Sequence, residues 1–268
     1  MFRPRDSHDL RVLDAKLTLS PPGEVRWIHD VFSNSIALIT FEDAAEELRF
    51  ESEIEIDHYG LNDPEWMLRE YAVGYPFRYD NEQIVDLMPT LQCHYPDPEG
   101  ALRAWAVRFL EPGEHTNTQG LLICMTQAIK EQFRYQERAI LGTQTPTETL
   151  HLGSGTCRDF ALFMIEAARS LGLAARFVSG YLYDPAMDGG GEAMTGAGAT
   201  HAWVQVYLPG AGWVEYDPTN GLIGGTNLIR VAVARDPKQA IPLQGSYSGA
   251  ASDFLGMEVE VRVTRVEG

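Results

Sequence analysis

Gly153-Ser154-Gly155-Thr156-Cys157-Arg158-Asp159-Phe160, running on into Ala161-Leu162-Phe163-Met164-Ile165, is the stretch that decides how this chain is read. The two glycines allow a tight approach to a helix start. Thr156 is a good N-cap, and Asp159 at the third helical position completes an arrangement like a capping box. The spacing predicts a helix from Cys157 to about Leu171, stopped by Gly172 as a C-terminal cap. Cys157 then falls in the first turn, where free backbone N–H groups and the helix dipole favour an anion. A free thiol titrates near about 8.5, and a helix N-terminus or an adjacent imidazolium can lower that value by several units. The same N–H groups are suited to the oxyanion of a tetrahedral intermediate. An isolated cysteine is otherwise usually a small buried thiol. That bland reading is expected for Cys93, and for Cys124, which lies in an apolar helical stripe and is assigned to the core.

Two alternating segments follow the helix. Thr200-His201-Ala202-Trp203-Val204-Gln205-Val206 opens with a histidine that shares a strand face with Trp203 and Gln205. Trp213-Val214-Glu215-Tyr216-Asp217-Pro218-Thr219-Asn220 ends in a turn, with Pro218 closing the ladder behind Asp217. An Asp-Pro turn is commonplace, and a lone histidine is often structural. In this order, however, Cys157, His201 and Asp217 are a nucleophile, a base and an orienting carboxylate, the last fixing the imidazole tautomer and stabilising the imidazolium. Glu215, on the same face, is the fallback for Asp217. Trp203, Trp213 and Tyr181 either line a peptide groove or belong to the core.

Outward from this region, residues 10 to 60 read as strands. Asp14 to Ser20 alternates until Pro21-Pro22-Gly23 breaks it, and Val25 to Phe41 holds two apolar runs about a turn at Ser33-Asn34-Ser35. Glu53-Ile54-Glu55-Ile56-Asp57 has one apolar and one acidic face. Eight acidic residues and a single basic one, Arg49, lie between Glu42 and Asp57. This is either a solvated, edge-protecting face or a docking face for a basic partner. Tyr71 to Tyr95, with Pro76 and Pro89, is taken as a crossover. Leu121, Leu122, Met125, Ile129 and Phe133 predict a helix to about Tyr135, and a loop with Gly142 and Pro146 leads to the cysteine helix. Leu173 to Tyr183 reads as a strand. The glycine-rich loop from Pro185 to Thr200 rims the site, either as a lid or as a surface loop without a role. Leu228–Val233 and Met257–Val266 read as closing strands. The division expected is a β-rich domain over 1–100 and a catalytic core over 101–268.

The formal charge of −17 disfavours nucleic acid and anionic membranes as partners. The N-terminus has no apolar signal core and no stretch is long enough to span a bilayer, so the expected location is cytoplasmic. Three cysteines without a CxxC pair or a Cys/His cluster predict neither a disulfide framework nor a structural zinc site. Neither the oligomeric state nor the substrate is legible.

The segments GTCRDFALFMIEAARSLGLAARFVSGYL and THAWVQVYLPGAGWVEYDPTNG resemble the bacterial transglutaminase-like superfamily, whose members include candidate cysteine proteases. The likeness covers roughly Thr118 to Gly221, and more loosely a β-rich domain before it. It implies an α+β, papain-like core with the nucleophile helix packed on an antiparallel sheet. It makes Cys157 the nucleophile, His201 the base and then the acid, and Asp217 the orienter. Tyr135, in Phe133-Arg134-Tyr135, is placed at the cleft, with Thr156 and Trp203 as further oxyanion or cleft candidates. No metal and no cofactor are implied. A peptide or protein substrate is, with either water or an amine as acyl acceptor. The opposing reading is an interaction module whose acidic β domain docks a partner.

Overall fold

The computed structural model describes residues 1–59, 67–113, 115–138, 142–188, 194–196 and 198–266. The first strands are β1 (Leu10–Ser20), β2 (Glu24–His29), β3 (Ser35–Thr40) and β4 (Arg49–His58). They form two antiparallel ribbons, β1 with β4 and β2 with β3. Along β4, Phe50, Ile54 and Ile56 are half-buried while Glu51, Glu53, Glu55 and Asp57 face water, as the period of two requires. At the β2–β3 turn Asn34 is buried at 1% exposure and docks on the core. Its amide donates to Val233 O at 2.7 Å and accepts from Val233 N at 2.9 Å, mimicking a strand partner.

Among the described residues, the helices before the cysteine include α1 (Asn81–Leu91), α2 (Ala101–Val107) and α3 (Thr118–Gln132). The crossover expected over 71–95 therefore contains a helix. Asp80 caps it and Gln83 reaches back to the Asp80 N–H, a signal that Pro89 outweighs in the sequence. The run expected as a helix to Tyr135 ends at Gln132, and Arg134–Tyr135 instead pairs in parallel with Ser154–Gly155. Likewise Pro146 does not lie in a loop. It opens α4 (Pro146–Leu152) behind a Thr145/Glu148 capping box. Cys124 is exposed, against expectation, because the buried face of α3 is set by Leu121, Leu122, Met125 and Ile129 and the thiol falls off it.

The cysteine helix α5 (Cys157–Ser170) has the expected start and stop: Thr156 caps Asp159 N–H, and Gly172 adopts φ 79°. Its middle, Ala161 to Ile165, is fully buried. One side packs on the sheet and the other meets α2 and α4, so its middle, Ala161 to Ile165, is apolar on every side. That sheet has five antiparallel strands: β5 (Ala175–Leu182), β6 (His201–Leu208), β7 (Gly212–Asp217), β8 (Leu222–Ile223) and β9 (Leu228–Ala234), in the order β8-β7-β6-β5-β9. The expected strand over Met257–Val266 is not in it. The segment makes no ladder, its apolar alternation finding no sheet edge, although Val261 N–H donates to Gly198 O at 3.1 Å.

A buried ion pair locks α5 to its surroundings. Arg169 and Glu166 meet at 2.7 Å with both side chains almost wholly buried. Arg169 also donates to the carbonyls of Thr90, Ala175 and Arg235, and Glu166 accepts from His94 and Tyr95 N–H. Every charge is thus hydrogen-bonded, the condition for burying one.

Gly180 of β5 lies opposite His201 in the ladder. A Cβ there would fall 2.1 Å from Ile229 O and 2.6 Å from the Trp203 ring. Gly180→Ala is accordingly expected to destabilise the protein by at least about 3 kcal/mol in urea unfolding. A loss below about 1 kcal/mol would mean the sheet can shift without cost at this point.

Candidate active site

The start of α5 presents Cys157 with its side chain nearly buried, at 7% exposure. The anchor beneath it is Asp159, fully buried. One Asp159 oxygen accepts from Arg138 Nη2 at 2.9 Å and Gln144 N at 2.7 Å. The other accepts from Arg138 Nε at 3.0 Å, Thr156 N at 2.8 Å and Thr156 Oγ1 at 2.9 Å. A carboxylate so satisfied fixes the turn that carries the thiol. Thr156, expected as an oxyanion or cleft candidate, spends its side chain on this cap.

Opposite the helix, β6 and β7 bring the other two residues together at adjacent strand ends. His201 Nε2 lies 2.8 Å from Asp217 Oδ2, both side chains out of water. Asp217 Oδ1 accepts from Thr219 N at 2.9 Å, and Oδ2 accepts from Asn220 Nδ2 at 2.8 Å. Burial opposes ionisation of Asp217. The His201 charge and hydrogen bond, with the bonds from Asn220 and Thr219, nevertheless hold the carboxyl below its usual range. Burial likewise opposes protonation of His201. The Asp217 charge and hydrogen bond, with smaller contributions from Cys157, outweigh it and raise the imidazole to about 10. Nδ1, the ring nitrogen not facing Asp217, is buried without a hydrogen-bond partner of full geometry. The Cys157 thiol is close enough to add both charge and hydrogen bonding to the ring's proton affinity.

Around this trio the sequence-based assignments divide. Tyr135 sits opposite Gly155 in the short parallel pairing and packs on Phe160. Burial first, then the charges of Cys157, Glu137 and Asp159, push its phenol to about 12, so it stays a neutral hydroxyl beside the thiol. Trp203 is fully buried and stacks on His201 with ring centroids 5.9 Å apart. It backs the imidazole and does not line an open cleft, which corrects the expectation. Glu215, the fallback acid, is held by Gln205 and Arg230 at 3.0 and 2.9 Å. Of the loop expected over 185–200, residues 189–193 and 197 lie outside the described residues. Its described part places Gly196 against the imidazole, where a Cβ would come within 2.9 Å of His201 Nδ1. Arg138, Asn220 and Gly196 were missed in the sequence, where only Asn220, at the end of the Asp-Pro-Thr-Asn turn, left a visible sign.

A cysteine on a buried helix start, facing a His–Asp pair on an antiparallel sheet, is the arrangement of a papain-like α+β fold. Comparison with known proteins narrows this. Residues 104–218 match the transglutaminase-like superfamily, and residues 1–57 match the bacterial transglutaminase-like N-terminal region. The chain thus carries a transglutaminase-like core behind the N-terminal region of the bacterial proteins. An uncharacterised protein of Mycobacterium leprae is 40% identical over 114 residues, covering 42% of this chain and 39% of that protein. One of Mycobacterium tuberculosis is 32% identical over 178 residues, covering 64% and 55%. This chain therefore matches only about half the length of these relatives. Among solved structures, a candidate cysteine protease from Cytophaga hutchinsonii superposes with a TM-score of 0.67 at 20% identity, covering 89% of this chain and 75% of that one. That likeness is one of fold. Among the described residues no helix is long and apolar enough to cross a membrane.

Proposed function

We propose that the protein is a cysteine-dependent acyl-transfer enzyme that takes an acyl group from a peptide or amide onto Cys157 and releases it to water. The observation that carries this reading is the buried His201–Asp217 pair, with Nδ1 left for the Cys157 thiol. In the first half-reaction the Cys157 Sγ–H proton is taken up by His201 Nδ1, giving the imidazolium that Asp217 stabilises, and the sulfur so freed attacks the substrate carbonyl. The C–N bond then breaks and the imidazolium returns that proton to the departing amine. This leaves a thioester. In the second half-reaction water gives a proton to Nδ1 as its oxygen attacks, and the thiol is re-formed with release of the acid. Asp217 keeps a proton on Nε2, so Nδ1 stays the basic atom. The first-turn N–H groups of α5, with the Tyr135 hydroxyl as a further candidate, are the donors assigned to the developing oxyanion in this reading.

An amine in place of water would make the second half-reaction a transamidation. Hydrolysis is the reading taken here because its second half-reaction needs only water as the acceptor. The interaction-module reading has no use for a buried His–Asp pair beside a thiol. The test is labelling with a peptidyl acyl electrophile, followed by peptide mass spectrometry. Cys157 is expected to carry the label ahead of Cys93 and Cys124, and Cys157→Ala to lose it. Because those two thiols are exposed and Cys157 is buried, labelling in order of exposure would sink the proposal.

A further inference from the structure

Asn220 is where two parts of the site meet. Its Nδ2 donates to Asp217 Oδ2 at 2.8 Å, the same oxygen that takes His201 Nε2–H. That Nδ2 also reaches Thr195 O at 3.1 Å, while its Oδ1 accepts from Thr195 N at 3.0 Å. One side-chain amide therefore satisfies both backbone groups of Thr195, as a strand neighbour would, and at the same time one lone pair of the acid. The next residue, Gly196, adopts φ 88° and lies over His201 Nδ1. Preceding it, Met194 is tied by its N–H to Asp184 at 2.8 Å and packs against the cluster that holds Trp203. The imidazole is thus held at Nε2 by the acid and flanked near Nδ1 by the Gly196 backbone, and the same amide anchors both neighbours. A residue that only formed the Asp-Pro turn would need no bond to Thr195 at all.

We infer that Asn220 is a positioning residue: it holds the Asp217 carboxylate and the Thr195–Gly196 backbone in one register about His201, and so sets the line from Nδ1 to the Cys157 thiol. The inference rests on the reading of His201 as the base for Cys157. It assigns Asn220 no contact with substrate; the residue acts through Asp217 and His201. Removing its side chain frees one lone pair of Asp217 and releases Thr195 from both bonds, so the ring loses its fixed tilt at either nitrogen.

The test is the rate of Cys157 alkylation by iodoacetamide near neutral pH, read on the Cys157 peptide by mass spectrometry. It compares wild type, Asn220→Ala, Asn220→Asp, His201→Ala and the double variant His201→Ala/Asn220→Ala. Asn220→Ala is expected to slow alkylation about tenfold, the scale of one charge-assisted hydrogen bond. Asn220→Asp, which keeps the volume but sets a carboxylate against Asp217, should slow it further. If the alanine variant does not fold, the aspartate variant carries the comparison. In the His201→Ala background, Asn220→Ala should change the rate by less than about twofold, because its route to the thiol is gone. The downfield Nε2–H proton resonance, assigned by its loss in His201→Ala, should move in Asn220→Ala. An unchanged rate in folded Asn220 variants would overturn the inference, as would the same tenfold loss with and without His201. A wild-type rate in His201→Ala would overturn the base assignment itself, and this inference with it.

Discussion

Cys157→Ala is expected to abolish the proposed turnover of peptide and amide substrates, by about 10⁴-fold or more, with the fold retained. The size follows from the division of labour in the site. Covalent catalysis needs the sulfur. Without it, the donors at the start of α5 can still polarise a carbonyl, but no acyl group is transferred to the protein. The fold is expected to survive because the substitution removes a single sulfur atom at the edge of the core. It sits at the end of the helix, and the anchor of that turn is Asp159 with its bonds to Arg138, Thr156 and Gln144. The check is steady-state hydrolysis beside a thermal melt. Activity that persists in a folded Cys157→Ala protein would move the chemistry elsewhere and return the core to the role of a scaffold.

Asp217→Asn has an effect of similar size by a different route. Asp217 Oδ1 accepts from Thr219 N, so in the amide that position keeps the oxygen. The NH₂ group then faces His201 Nε2 and Asn220 Nδ2. A donor at Nε2 drives the ring proton to Nδ1, the atom that must accept from the thiol. A loss of about 10⁴-fold in turnover is expected, the cost of the wrong tautomer. Stability should also respond, and with a defined sign. The folded His201 has a raised proton affinity, so its contribution is complete below its unfolded value of about 6.5 and fades as pH climbs through about 10. Asp217 is depressed, so its contribution is present above its unfolded value of about 3.9 and is lost as pH falls through the folded one. Asp217→Ala should therefore cost most, about 3–5 kcal/mol, between about pH 4 and 6.5. The gap to wild type should narrow towards pH 10. Urea unfolding across that range checks it; a gap that widens with alkali would mean the pair is not an imidazolium–carboxylate.

Much of this was readable because the site is built from local signals. The Thr156/Asp159 box, the glycines before it and Gly172 after it mark α5 with both of its ends. Alternation marks β6 and β7 with His201 and Asp217 at their tips. What the sequence hid depends on distant partners. Capping at Asp80 and Thr145 made helices where Pro89 and Pro146 suggested breaks. The apolar face of α3 turned Cys124 outward, and the alternation of Met257–Val266 predicted a strand for which the sheet offers no edge. Trp203 reads from its spacing more as core than as groove, and Gly180 is what makes room for it under the ladder. Arg138 carries no signature of its own, since it matters only for the carboxylate it reaches, and Asn220 shows only as the end of the Asp-Pro-Thr-Asn turn.

The central claim is a thioester on Cys157 made with the help of His201. Its most direct measurement is acid-quench mass spectrometry after mixing the protein with an activated peptide ester. One acyl mass is expected on the Cys157 peptide, removed by hydroxylamine and nearly absent in His201→Ala. An acyl group on Cys93 or Cys124, or equal acylation of Cys157 without His201, would contradict it.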